Sequence, residues 1–147
     1  MFMTNKRILI LDDNEAILEV VTEALIYEKF EVKDISWGYQ LLEAVNEFNP
    51  DLILMDYRLS DTNGGNLCRG LKSDPEHRHI PIVIFSAYFN PNDTDQPGEC
   101  DGILYKPFDL EQLLKIVHLH IDPGPHKEWI IDANRNPDLQ FDKGNVQ

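Results

Sequence analysis

Four short apolar runs in this chain each end abruptly on a polar residue: Ile8–Leu11 before Asp12, Leu52–Met55 before Asp56, Ile82–Phe85 before Ser86, and Ile103–Tyr105 before Lys106. Hydrophobicity that continues without alternating marks strands covered on both faces. Phe30–Ile35 alternates instead and reads as a half-exposed edge strand. Between these runs the periodicity turns helical. Ile17, Leu18, Val21, Ala24 and Leu25 share one helix face, with Asn14 placed to cap it. Leu110, Leu113, Leu114, Val117 and Ile121 repeat the pattern, and Asp109 with Gln112 has the spacing of a capping box. A helix over Leu41–Phe48 stops at Asn49-Pro50, and one from about Gly65 to Lys72 stops at Ser73-Asp74-Pro75. Strands alternating with helices specify an α/β fold, a parallel sheet with helices on both faces. The connection between the last two strands, Tyr88–Gly98, carries Pro91 and Pro97 and no apolar period, so a weak or irregular fourth helix is expected there.

Composition narrows the function classes. With 147 residues the chain is expected to be one domain with a short appendage: residues 1–121 the domain, and 122–147, opening on Asp122-Pro-Gly-Pro125, a C-terminal extension without a separate effector domain. Within that extension, Trp129–Ile131 is expected to dock on the domain or on a second copy. Lys and Arg number 13 against 26 Asp and Glu, a formal charge of −13, which argues against direct binding of nucleic acid. Cys68 and Cys100 show no CxxC spacing and fit thiols in a reducing compartment. No apolar run approaches the ~18–20 residues of a membrane span, and the first residues lack a signal-peptide core, so a soluble, cytoplasmic protein without membrane contact is expected.

In an open parallel sheet the functional crevice lies at the carboxyl ends of the strands. Asp12 and Asp13 follow the first strand, Asp56 ends the third, Ser86 follows the fourth and Lys106 the fifth. Each alone is an ordinary turn former or cap. As a set they put three carboxylates at one edge, which needs a cation, a base or a raised pKa. Oxygen ligands with a lone Lys point to Mg²⁺, which binds through a few carboxylates and shares its other positions with water and phosphate oxygens. Phosphoryl chemistry on a carboxylate follows as the expected activity. The histidines at 77 and 79, and at 118 and 120, have i, i+2 spacing and are not expected to bind metal.

Taken together, Leu11-Asp12-Asp13-Asn14, Asp51–Asp56 with Gly64 eight residues on, Ser86-Ala87 and Asp101–Phe108 resemble a response-regulator receiver domain, the phosphoacceptor module of two-component signalling, over about Lys6–Ile121. The resemblance implies a flavodoxin-like, doubly wound five-stranded sheet in order 2-1-3-4-5. It implies Asp56 as the nucleophile that accepts a phosphoryl group from a sensor histidine kinase or phosphotransfer protein. It implies Mg²⁺ held by Asp13, Asp56 and the backbone carbonyl of Arg58, with Asp12 acting mainly through water. Lys106 and Ser86 would contact the phosphoryl oxygens, Ala87 would leave access open, and the bond to Pro107 would be cis. The product is a signal carried by phosphorylation-dependent contact with an unknown downstream protein, as monomer or dimer, rather than an enzyme acting on a separate substrate.

Two positions depart from the family pattern. Ser60 stands where proline is usual, four residues after the acceptor, and is expected to slacken the loop without touching the chemistry. Ile103 occupies the switch position where Tyr or Phe is usual, with Tyr105 beside the Lys, so a non-standard readout is expected. An aspartate-nucleophile hydrolase would want a second Asp where Arg58 stands. A flavodoxin-like cofactor binder would need a phosphate loop where Asp12, Asp13 and Glu15 repel anions. A receiver that has lost phosphorylation would not keep the whole pocket.

Overall fold

The protein is described by a computed structural model over residues 5–87 and 100–121. In chain order the elements are β1 (Arg7–Leu11), α1 (Glu15–Tyr27), β2 (Glu31–Ile35), a 3₁₀ turn (Gly38–Gln40), α2 (Leu41–Phe48), β3 (Leu52–Asp56), α3 (Gly64–Lys72), β4 (Ile82–Ser86), β5 (Gly102–Tyr105) and α4 (Leu110–Ile121). Among the described residues the strands form one parallel sheet in the order β2-β1-β3-β4-β5, as the sequence resemblance implied. The residues expected to form a weak helix, 88–98, and the extension at 122–147 with Trp129–Ile131 lie outside the described residues.

The unbroken apolar runs have a direct cause. Successive side chains of a strand point to opposite faces, and here both faces are covered. Ile8 and Ile10, Leu52 and Leu54, and Val83 and Phe85 face α1 and α4, meeting Leu18, Val21, Leu25, Leu113, Ile116 and Val117. Leu9 and Leu11, Ile53 and Met55, and Ile82 and Ile84 face α2 and α3, meeting Leu41, Ala44, Val45, Cys68 and Leu71. Truncating one of these wholly buried aliphatic side chains to Ala costs about 2–5 kcal/mol, so the central strands are the least negotiable part of the sequence.

Helix boundaries follow local hydrogen bonding. The Asn14 side chain accepts from the N–H groups of Ala16 and Ile17, capping α1. Asp109 and Gln112 exchange reciprocal hydrogen bonds of 2.9 and 2.8 Å at the start of α4. α2 ends because Asn49 turns left-handed, at φ 52°, ahead of Pro50. α3 starts one residue earlier than its periodicity suggests, at Gly64, because Asn63 accepts from the N–H of Asn66. Likewise β2 begins at Glu31 rather than Phe30, whose N–H is engaged by the Leu25 carbonyl at the end of α1. β5 gains Gly102, which pairs with Val83.

At the amino end of the sheet, Lys72 ties three segments together. Its ammonium lies 2.7 Å from Asp101 and donates to the carbonyls of Ile80 and Arg78 at 2.9 and 3.2 Å. Asp101 in turn accepts from the Ile82 N–H at 2.8 Å. The end of α3 and the starts of β4 and β5 are thereby held in register beneath the opposite, carboxyl edge.

Candidate functional site

The register of three parallel strands delivers four polar side chains to one edge. Asp12 and Asp13 follow β1, Asp56 is the last residue of β3, and Lys106 follows β5. Asp12, Asp13 and Asp56 each offer a carboxylate oxygen, and these oxygens lie within 4.8 Å of one another. The Lys106 ammonium stands between two of them, 3.3 Å from Asp12 Oδ2 and 3.2 Å from Asp56 Oδ1. Asp12 is wholly buried, and its other oxygen accepts from the Asn14 N–H at 2.9 Å. Asp13 is exposed and accepts from the Ser60 hydroxyl at 3.0 Å.

Such crowding has an electrostatic cost. Burial holds the Asp56 carboxyl above the usual carboxylate range and Asp12 pushes it further up, while Lys106 pulls it down by charge and hydrogen bond and Asp13 adds a last upward push. The upward causes win, so one ammonium does not neutralise this edge. A hard divalent cation fits the donor set: oxygen atoms only, close together, two of them on side chains shielded from water and one on a side chain open to it. Asp13 and Asp56, with Asp12, are the side chains that would hold it.

Gly64 shapes the same edge. A Cβ there would lie 2.8 Å from Ile84 Cδ1 and 2.9 Å from the Asp56 carbonyl oxygen. Only a bare Cα lets α3 begin this close to the acceptor strand, and the Gly64 N–H uses that approach to bond the Tyr57 carbonyl at 2.7 Å. The Arg58 backbone forms a bridge with Asn63 in the same loop. Ser86 ends β4, and its carbonyl accepts from the Lys106 N–H at 2.7 Å. Ala87 is exposed beside it, and the Lys106–Pro107 peptide is cis. An apolar hollow of about 470 Å³, lined by Ile17, Val20, Ala87, Pro107 and Phe108, opens next to Lys106. Ile103 is partly buried in β5, opposite Ile84.

Other reactive side chains lie elsewhere. His77 is held between Asp74, at 2.6 Å, and Asn46, at 2.9 Å. The His118 ring packs on Phe30, and His120 meets the carbonyls of Ile116 and Asp101. Burial, with Cys68 and Asp101 nearby, pushes the Cys100 thiol up to about 12, which keeps it protonated and unreactive at neutral pH. Cys68 is wholly buried in the core between the sheet and α3.

One expectation is corrected. Ser60 is not a mere loosening of its loop: its hydroxyl is the hydrogen-bond donor to Asp13. Asp61, which spacing did not single out, accepts from the N–H groups of Gly38 and Tyr39, each at 2.9 Å. A side-chain acceptor immediately after a hydroxyl, in the loop following the third strand, was the available signal.

Comparison with known proteins agrees with this geometry. The family described as the response regulator receiver domain matches residues 8–118. The polar-differentiation response regulator DivK of Brucella ovis is 27% identical over 118 residues, covering 79% of this chain and 96% of that protein. The receiver domain of the sensor histidine kinase PA1611 of Pseudomonas aeruginosa, solved with a magnesium ion coordinated in its active-site cleft, superposes with a TM-score of 0.73 at 25% identity, over 80% of this chain and 98% of that one. The phosphorylated cyanobacterial phytochrome response regulator RcpA superposes with a TM-score of 0.67 at 27% identity, over 81% of this chain and 96% of its own.

Proposed function

The chain belongs to the response-regulator receiver family of two-component systems, and from that premise we propose that Asp56 is its phosphoacceptor. A sensor histidine kinase or phosphotransfer protein supplies the phosphoryl group. An Asp56 oxygen attacks phosphorus, the O–P bond forms as the P–N bond to the donor imidazole breaks, and the imidazole leaves as the other product. The observation that carries this reading is the convergence of Asp12, Asp13 and Asp56 within 4.8 Å around a single ammonium at the carboxyl edge of the sheet.

Each residue has a distinct task. Lys106 holds the attacking carboxylate at 3.2 Å and is placed to pair with the incoming phosphoryl oxygens. Asp13 and Asp56, with the Arg58 carbonyl and Asp12, would hold Mg²⁺, which when bound would offset the charge that builds up between acceptor and phosphoryl group. A magnesium ion is coordinated in the cleft of the related PA1611 receiver. Ser86, at the end of β4, contacts the phosphoryl group once it is in place, and exposed Ala87 leaves its approach open. The apolar hollow beside Lys106 offers a donor protein a dry contact within reach of the acceptor.

The output is a phosphorylation-dependent contact with a downstream protein in the cytoplasm, and Ile103 at the switch position excludes a flipping aromatic ring there. Incubation with acetyl phosphate and Mg²⁺, followed by intact-mass measurement, tests the assignment. One labile phosphoryl group should appear in the parent and be absent from Asp56→Asn. Labelling of that variant at the parental rate would refute it.

A further inference from the structure

The loop between β3 and α3 has two side-chain contacts that the receiver reading leaves unused. At one, Ser60 donates to Asp13 of the acidic cluster at 3.0 Å. At the next residue, both oxygens of Asp61 accept backbone N–H groups, from Gly38 and Tyr39, at 2.9 Å each. The loop between them is stiff: Leu59 N–H bonds the Thr62 carbonyl at 3.1 Å, Arg58 bridges Asn63, and Gly64 N–H bonds the Tyr57 carbonyl at 2.7 Å. The far side is close-packed as well. A Cβ on Gly38 would meet Thr62 Cγ2 at 2.5 Å and the Asp61 carboxylate at 3.1 Å, so the two loops touch without slack.

Gly38 is flanked by Trp37 and Tyr39, whose rings lie 6.0 Å apart. Both are solvent-facing, at 43% and 75% exposure. Contiguous apolar surface left facing water is a mark of contact surfaces. Here the pair rides on the turn that Asp61 holds, and the Gln40 side chain closes it by accepting from Ser36 and Trp37 N–H.

We propose that Ser60 and Asp61 form a strap through which the Asp13 carboxylate and the exposed Trp37–Tyr39 pair report on one another. Ser60 is a positioning residue for Asp13, and Asp61 carries any shift of the strap to the backbone between the two rings. With a cation bound, the Ser60 hydroxyl would stay with the Asp13 carboxylate and tighten on it. The adjoining Asp61 would then be re-aimed at Gly38 and Tyr39. Linkage then works both ways: whatever orders the aromatic turn also changes cation affinity. This inference rests on the reading that the acidic cluster binds Mg²⁺.

Trp37 supplies the readout once the other tryptophan is removed by Trp129→Phe. Magnesium chloride titrations of the full chain, followed by calorimetry and by Trp37 fluorescence, should give coincident midpoints. Ser60→Ala should move the midpoint to about three- to tenfold higher Mg²⁺, the share of that hydrogen bond gained only when the cation is bound, whereas Ser60→Thr, which keeps the hydroxyl, should stay within about twofold of the parent. Asp61→Ala should bind Mg²⁺ yet lose most of the fluorescence response, and Asp61→Asn, which keeps one acceptor, should lose part of it. Circular dichroism checks that each variant is folded. Mg²⁺ bound by calorimetry with a silent Trp37, or a full response in Asp61→Ala, overturns the strap alone. Absence of Mg²⁺ binding in the parent overturns the metal reading, and the strap with it.

Discussion

Replacing Lys106 with Met should expose the electrostatic balance of the acidic edge. At an effective dielectric of about 20, two unit charges 3.2–3.3 Å apart attract by about 5 kcal/mol, and Lys106 makes two such pairs, with Asp12 and Asp56. The carboxylates of Asp12 and Asp56, no more than 4.8 Å apart, repel by about 3.5 kcal/mol or more on the same scale. Desolvation of the ammonium offsets much of its attraction, and removing one partner of a buried pair typically costs about 3–5 kcal/mol. Proton uptake sets a ceiling. A carboxyl of ordinary pKa near 4 takes up a proton at pH 7 for about 4 kcal/mol and at pH 5 for about 1.4 kcal/mol, and the stranded pair cannot cost more than that escape. The expected loss in metal-free buffer is therefore about 3–4 kcal/mol at pH 7, a fall in Tm of roughly 12–15 °C for a domain of this size, shrinking to about 1–1.5 kcal/mol at pH 5. Mg²⁺ at a hundred times its Kd should restore about 2.7 kcal/mol. Thermal melts at the two pH values, with and without Mg²⁺, measure all of this. An equal loss at both pH values would refute the electrostatic account, because a packing defect has no reason to depend on carboxylate protonation.

Three other substitutions probe separate parts of the structure. Because the folded Asp56 carboxyl lies above its ordinary 3.8, it binds its proton more tightly folded than unfolded, so its charge lowers stability as pH rises from about that value through the raised folded one. Asp56→Asn should accordingly melt higher than the parent at pH 7 without Mg²⁺, the gap closing below the unfolded value. A gap that widens on acidification contradicts the sign. Gly64→Ala puts a methyl against the Asp56 carbonyl and Ile84, and should cost about 1–3 kcal/mol while slowing acetyl-phosphate labelling. Chemical denaturation and initial labelling rates check the two effects. Lys72→Met strands the Asp101 carboxylate and two carbonyls at the opposite edge, and should cost about 1.5–3 kcal/mol without changing the Mg²⁺ midpoint, which a calorimetric titration would show.

Much of this architecture can be read directly from residue order, for reasons the packing makes plain. Strands buried on both faces must be apolar throughout, so Leu52–Met55 and Ile82–Phe85 announce themselves, and Asp56 stands out as the first polar residue after such a run. Asn14, Asn49 and Asp109 punctuate helices by hydrogen bonds or backbone geometry that span only a few residues. What sequence does not display is contact between segments far apart in the chain. Ser60 meets Asp13 across 47 residues, Asp61 meets Gly38 across 23, and His77 meets Asn46 across 31. None of these pairs has a period, because each is set by how the fold brings distant segments together.

Ser60 shows the consequence. Seen only against the family pattern, the position reads as a proline lost, a change in loop stiffness. In the structure it is a donor gained, aimed at an oxygen of the acidic cluster. Proline has no side-chain donor, so a receiver with proline there cannot make this contact. The substitution therefore adds a coordinate to the site, the orientation of Asp13, and joins it to a second coordinate, the turn under Trp37 and Tyr39. Among the described residues, the loop after β3 supplies a contact at every step of the proposed outlet, from Asp13 through Ser60 and Asp61 to the exposed rings.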